Sequence, residues 1–172
     1  NLCEEIQRIS PSQILVVTDP GVKKVGVLDR VKAQLEKGKF VFEEFDGIDI
    51  EPTLETLERC LNWIGGRKFD AVIGLGGGSS MDVAKVAAIM LANAGSFQDY
   101  MGIEKIPKPG VPMIMIPTTG GTGAEVTTNA LLIDKKEKVK KSFISSYLIP
   151  EVAIVDPELT VTLPPELTAS TG

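Results

Sequence analysis

The chain has 172 residues, and 18 Lys and Arg against 23 Asp and Glu leave a formal charge of −5, with 43% apolar and 24% charged residues. That is ordinary globular composition with room for one core, since a chain of this length buries roughly two-thirds of the surface its unfolded state exposes. The acidic balance argues against a surface built to displace phosphate counterions, and no run reaches the ~18 apolar residues of a membrane span, so a single cytoplasmic domain that touches neither nucleic acid nor membrane is expected.

In chain order, Ile14-Leu15-Val16-Val17 is a β-rich run stopped by Asp19-Pro20-Gly21, with Asp19 placed to cap the next helix. A helix using Val27, Val31 and Leu35 ends near Gly38, and Phe40, Phe42 and Phe45 mark a second strand. Pro52-Thr53 opens a helix with Leu54, Leu57, Leu61 and Ile64 on one face and a stop at Gly65-Gly66. Ala71 to Leu75 is continuously apolar, as a parallel strand covered on both faces would be, and runs into Gly76-Gly77-Gly78-Ser79. The next helix carries an apolar stripe of Val83, Val86, Ala87, Met90, Leu91 and Ala94 and ends at Gly95; Ser79 and Asp82 have the spacing of a capping box. After a Pro-rich loop come a strand at Met113 to Ile116, a small-residue loop at Pro117 to Gly123, and a hairpin pairing Thr127 to Asp134 with Val139 to Ile144 across a Lys-rich turn.

Alternating β and α elements predict a Rossmann-like, doubly wound, mainly parallel α/β sheet whose ligands bind beyond the carboxyl ends of the strands. Both glycine-rich loops fall there. Glycines let backbone approach an anion while N–H groups and the positive end of the next helix face it, so Gly76 to Ser79 is read as a phosphate cradle in preference to a bare tight turn. Neither a P-loop nor the full Gly-x-Gly-x-x-Gly fingerprint is present. The hydroxyls of Thr118, Thr119 and Thr122 suit a cofactor's pyrophosphate or nicotinamide-side ribose, or simply make a polar loop. Asp19 either holds a ribose diol or caps a helix, and Lys140 either meets a phosphate or is solvated. Cys60 reads as core filler, and Cys3 and Cys60 fit no disulfide framework or zinc spacing. With no histidine in the chain, neither a Ser-His-Asp triad nor a His-ligated metal can be made from it alone.

The stretch Gly76-Gly77-Gly78-Ser79-Ser80-Met81-Asp82-Val83-Ala84-Lys85 resembles the nucleotide-binding signature of the iron-containing (group III) alcohol dehydrogenases. Pro117 to Thr127 is similar to that family's second signature, and Val152 to Leu159 with Leu163-Pro164-Pro165 resembles its downstream stretch. The resemblance implies an N-terminal domain that binds NAD(P), with NAD favoured, followed by a helical domain that holds iron or zinc through one Asp and three His. It places Asp19 at the adenine ribose, Gly76, Gly77, Gly78, Ser79, Ser80 and Asp82 at the pyrophosphate, Thr118, Thr119 and Thr122 in the second cofactor loop, and Leu131 and Lys140 as further contacts. Glu51 departs from the Asn the family often has before its Pro-Thr.

Leu167 to Gly172 resembles the family segment just before the first metal-binding Asp. The expectation is therefore that residues 1–172 form the cofactor domain of a longer dehydrogenase, lacking the family's first strand, with residues 145–172 leading toward the helical domain. No catalytic or metal-binding residue is expected within it, and the chain alone is expected to be inactive. The complete protein would pass hydride between nicotinamide and a small alcohol or aldehyde, with the metal polarising the substrate oxygen and a homo-oligomer left open. The alternatives are a non-catalytic nucleotide-binding or regulatory module and a glycerol dehydrogenase or dehydroquinate-synthase-like relative.

Overall fold

The computed structural model of the chain describes residues 1–161 and residue 166, so the expectations for Leu163-Pro164-Pro165 and Leu167 to Gly172 lie outside the described residues. A helix α1 (Leu2–Ile9) precedes β1 (Ile14–Val17), followed by α2 (Pro20–Lys24), α3 (Val27–Lys37) and β2 (Phe42–Phe45). Then come α4 (Leu54–Ile64), β3 (Ala71–Gly76), α5 (Gly78–Ala92), β4 (Gly102–Ile103) and β5 (Met113–Pro117). A hairpin of β6 (Asn129–Asp134) and β7 (Val139–Ile144) and a short β8 (Val152–Ala153) complete the main elements.

Five strands form a wholly parallel sheet in the order β2-β1-β3-β5-β8. Its central strands are apolar along their whole length because successive side chains point to opposite faces and both faces are covered. Ile14, Val16, Ile73, Leu75, Ile114 and Ile116 pack with Leu2 and Ile6 of α1 and Val27, Leu28, Val31 and Leu35 of α3. Leu15, Val17, Val72, Met113 and Met115 pack on the other side with Leu57 and Cys60 of α4 and Met81, Val83 and Ala87 of α5. Thr53 starts α4 by accepting the N–H of Thr56 on its hydroxyl at 3.1 Å, a cap that stabilises a helix by about 1 kcal/mol. The doubly wound architecture agrees with the sequence-based expectation.

Three local expectations are corrected, and one helix was not anticipated. The segment after β1 is two helices, broken at Val25-Gly26, where Gly26 takes a left-handed φ of 77°. Helix α1 was not anticipated, although Leu2, Ile6 and Ile9 recur at i, i+4 and i+7 and the side chain of Asn1 caps it by accepting the N–H of Cys3. Helix α5 has no single apolar stripe; it is buried nearly all round from Ser80 to Ile89, since it lies between the sheet, α4 and the β6–β7 hairpin. It stops at Ala92 rather than Gly95, where Asn93 donates its side-chain amide to Ile89 O and Lys108 O.

The strand order reverses between β1 and β3, because the chain steps outward from β1 to β2 and then crosses back to β3 and β5. In such sheets the crevice beyond the carboxyl ends at the reversal is where ligands sit. The register aligns Val17 with Gly74 and Gly76 with Pro117, so Asp19, Gly77 and Thr118 leave the sheet side by side.

Candidate cofactor site

At the end of β1, Asp19 takes the extended backbone of a helix N-cap, and its Oδ1 accepts the N–H of Val22 at 3.0 Å. Its Oδ2 accepts the Ser80 hydroxyl at 3.0 Å. Asp19 is thus a cap and also a tie between the β1 turn and the start of α5.

At the end of β3, Gly76 has φ +145°, and a Cβ there would lie 2.6 Å from Ser80 Oγ and 2.9 Å from Asp19 Oδ2. Only glycine passes between those two side chains. Gly77 is the N-cap of α5 yet offers no side-chain bond, and no acidic residue stands in the first turn. The leading N–H groups of this 15-residue helix therefore have no side-chain acceptor among the described residues.

The second loop lies directly on this turn. The N–H of Thr118 donates to Gly76 O at 2.9 Å. A Cβ on Gly77 would come within 3.3 Å of Thr119 Oγ1, and one on Gly78 within 3.3 Å of Thr122 Cγ2. Two loops some forty residues apart in sequence thus face each other across a gap kept narrow by glycine, with hydroxyls on one wall and backbone donors on the other.

The capping box expected from Ser79 and Asp82 does not form, because both side chains are used elsewhere. The Ser79 hydroxyl donates to Ile50 O at 2.8 Å, and Asp82 Oδ2 accepts the N–H of Leu131 at 3.0 Å. Burial pushes the Asp82 carboxyl up to about 6, against the Leu131 N–H bond and the nearby charge of Lys85, which favour the carboxylate. Leu131 is held to α5 by that bond while its side chain stays 39% exposed. Lys140 stands opposite Ile133 on β7, on the face it shares with Leu131, and its ammonium has no hydrogen bond or ion pair among the described residues.

Sequence reasoning singled out no role for Lys85, which is completely buried in α5. Its ammonium donates to Thr127 O at 2.9 Å, Thr127 Oγ1 at 3.1 Å and Asn129 O at 3.1 Å. The available signal was a lone charge inside the run Val83-Ala84-Lys85-Val86-Ala87-Ala88. Cys60 is core filler as expected, its thiol pushed up to about 12 by burial.

An uncapped helix start, a turn that excludes a Cβ at Gly76 and is tight at Gly77 and Gly78, and an opposing row of hydroxyls fit a pyrophosphate with its flanking riboses. Among the described residues no three His, Cys, Asp or Glu side chains group to hold a metal ion. Nor is any described helix long and apolar enough to cross a membrane.

Long-chain-alcohol dehydrogenase 1 of Geobacillus thermodenitrificans is 42% identical to the chain, covering 99% of it and 44% of that protein. Sulfoacetaldehyde reductase of Bilophila wadsworthia is 38% identical, covering 98% and 43%. Among solved structures, a 1,3-propanediol oxidoreductase superposes with a TM-score of 0.92 at 32% identity, over 99% of this chain and 44% of that one. Sulfoacetaldehyde reductase from Bifidobacterium kashiwanohense in complex with NAD+ superposes with a TM-score of 0.88 at 32% identity, over 99% and 45%. The chain spans less than half the length of the curated relatives it matches. The description "Iron-containing alcohol dehydrogenase" matches residues 1–157, nearly the whole chain, and the chain belongs to that family.

Proposed function

We propose that this chain is the NAD(P)-binding part of an oxidoreductase that moves hydride between a nicotinamide cofactor and a small alcohol or aldehyde. The observation that carries this is the uncapped Gly77 start of α5 with Thr119 and Thr122 laid against it. Backbone N–H groups from Gly78 onward hold the pyrophosphate, with Gly76, Ser79 and Ser80 shaping the turn. Asp19 faces the adenine ribose diol with a carboxylate that would repel a 2′-phosphate, which favours NAD over NADP. Thr118, Thr119 and Thr122 bond the nicotinamide-side half, while Asp82, Leu131 and Lys140 border it.

When bound, the nicotinamide is the hydride donor or acceptor. The chain's own share is to hold and orient it, and on this reading the metal chemistry and turnover belong to the complete family protein. The relatives' names, an alcohol dehydrogenase and a sulfoacetaldehyde reductase, favour an enzyme over a purely regulatory nucleotide module.

Titration calorimetry tests the reading. The chain should bind NADH at one site, and Gly77→Val should abolish measurable binding, because its Cβ would already stand 3.3 Å from Thr119 Oγ1 and its two methyl groups would fill the turn. Equal heats from the two proteins, or none from the parent, would defeat it.

A further inference from the structure

The loop that carries Thr118, Thr119 and Thr122 continues through residues 123–128 into β6, and one side chain pins that connection to the body of the domain. Lys85 spends all three of its donors there, on Thr127 O, Thr127 Oγ1 and Asn129 O. Three residues earlier on the same helix face, Asp82 takes the N–H of Leu131. The face of α5 turned to β6 therefore offers one acceptor and three donors, all spent on residues 127 to 131.

A methionine could fill the volume of Lys85 without taking a charge out of water, among neighbours such as Val83, Ala84, Val86 and Ala87 that are themselves buried and apolar. What the lysine adds is direction. Burial pushes its ammonium down to about 8, and Asp82 and Glu125 are the charges near enough to oppose that shift.

We propose that Lys85 is a positioning residue for the cofactor: it holds Thr127 and Asn129 on α5 and so sets where the Thr118–Thr122 loop stands over the Gly76–Gly78 turn. This rests on the proposed cofactor site and adds a division of labour within it. The adenosine and pyrophosphate half is held by Asp19, Ser80 and the glycine turn, whose mutual contacts do not pass through Lys85. The nicotinamide half depends on the second loop, and so on Lys85.

The division is tested with two ligands on the full chain, ADP for the first half and NADH for the whole. Lys85→Met should raise the Kd for NADH by about tenfold, as expected for lost buried hydrogen bonds, and change that for ADP by less than about twofold. Should Lys85→Met not fold, as judged by circular dichroism, Thr127→Val removes one acceptor and leaves the lysine in place. It should weaken NADH by about threefold with ADP unmoved. Equal weakening of both ligands, or of neither, would overturn the role given to Lys85 while leaving the cofactor site standing. A parent chain that binds neither ligand would instead remove the cofactor reading, and the positioning role with it.

Discussion

Two strand-to-helix turns leave the same rim of the sheet, joined by the bond from Ser80 to Asp19, and they end in opposite states. After β1 the turn closes on itself: Asp19 accepts the N–H of Val22, and Pro20 at the first helical position has no N–H to satisfy. After β3 the turn stays open, with glycine at the cap, no acid in the first turn and a helix three times as long behind it. A helix that satisfies its own leading donors has little left for a ligand, whereas an uncapped one keeps both its N–H groups and its dipole for an anion. The difference assigns the pyrophosphate to the β3 turn and leaves the β1 turn to supply a carboxylate from the side.

The largest expected effect comes from making the open turn resemble the closed one. Gly77 already has N-cap backbone angles (φ −79°, ψ −174°), so Gly77→Asp can cap α5 and place a carboxylate where the pyrophosphate would lie. The Kd for NADH should rise by about a hundredfold, and unchanged affinity by calorimetry would mean the two turns do not differ as described.

Next in size is Asp82→Asn, which separates a true helix cap from a group spent on β6. Because burial lifts this carboxyl from 3.8 to about 6, the folded chain holds the proton longer than the unfolded one. The stability this lends is complete below pH 3.8 and is lost as pH rises through 6. Asparagine keeps an oxygen for the Leu131 N–H and escapes the loss. The variant's advantage in urea unfolding should therefore grow across that window and level at no more than about 3 kcal/mol near neutral pH. A variant less stable than the parent at pH 7 would restore the capping role that its spacing from Ser79 suggests.

The smallest effect is expected from opening the closed turn. Asp19→Gly removes the side-chain cap on Val22, and because glycine is itself tolerated at an N-cap it should cost only about 0.3 kcal/mol in the same unfolding assay. It should also shift the ratio of NADPH to NADH affinity toward NADPH. An unchanged ratio in a competition titration would leave Asp19 with its cap and its bond to Ser80 alone.

Much of the fold was legible. The apolar runs at 14–17, 71–75 and 113–116, the breaker clusters after them and the Thr53 cap all act within a few residues, and each lies where the pattern puts it. The split at Val25-Gly26 was not read, because Pro20 opens a helix, Val27, Val31 and Leu35 continue one, and a lone glycine such as Gly26 is tolerated inside a helical pattern. Strand β8 is two residues long and exists as a strand through its pairing with Met115 and Ile114, which Val152 and Ala153 do not announce.

The site shows the same boundary more sharply. Glycine at 76 to 78 and threonine at 118, 119 and 122 pointed to two loops and to an anion, since lack of Cβ and possession of a hydroxyl are properties of the residues themselves. Which polar group is spent on which neighbour was decided only by the tertiary structure. The bond from Ser80 to Asp19 joins residues 61 apart, that from Leu131 to Asp82 residues 49 apart, and those from Lys85 to Thr127 residues 42 apart. Local spacing made a capping box of Ser79 and Asp82 and found nothing in Lys85, because a polar side chain's partner is set by what the fold brings beside it once water is excluded, and no rule of sequence period extends across that distance.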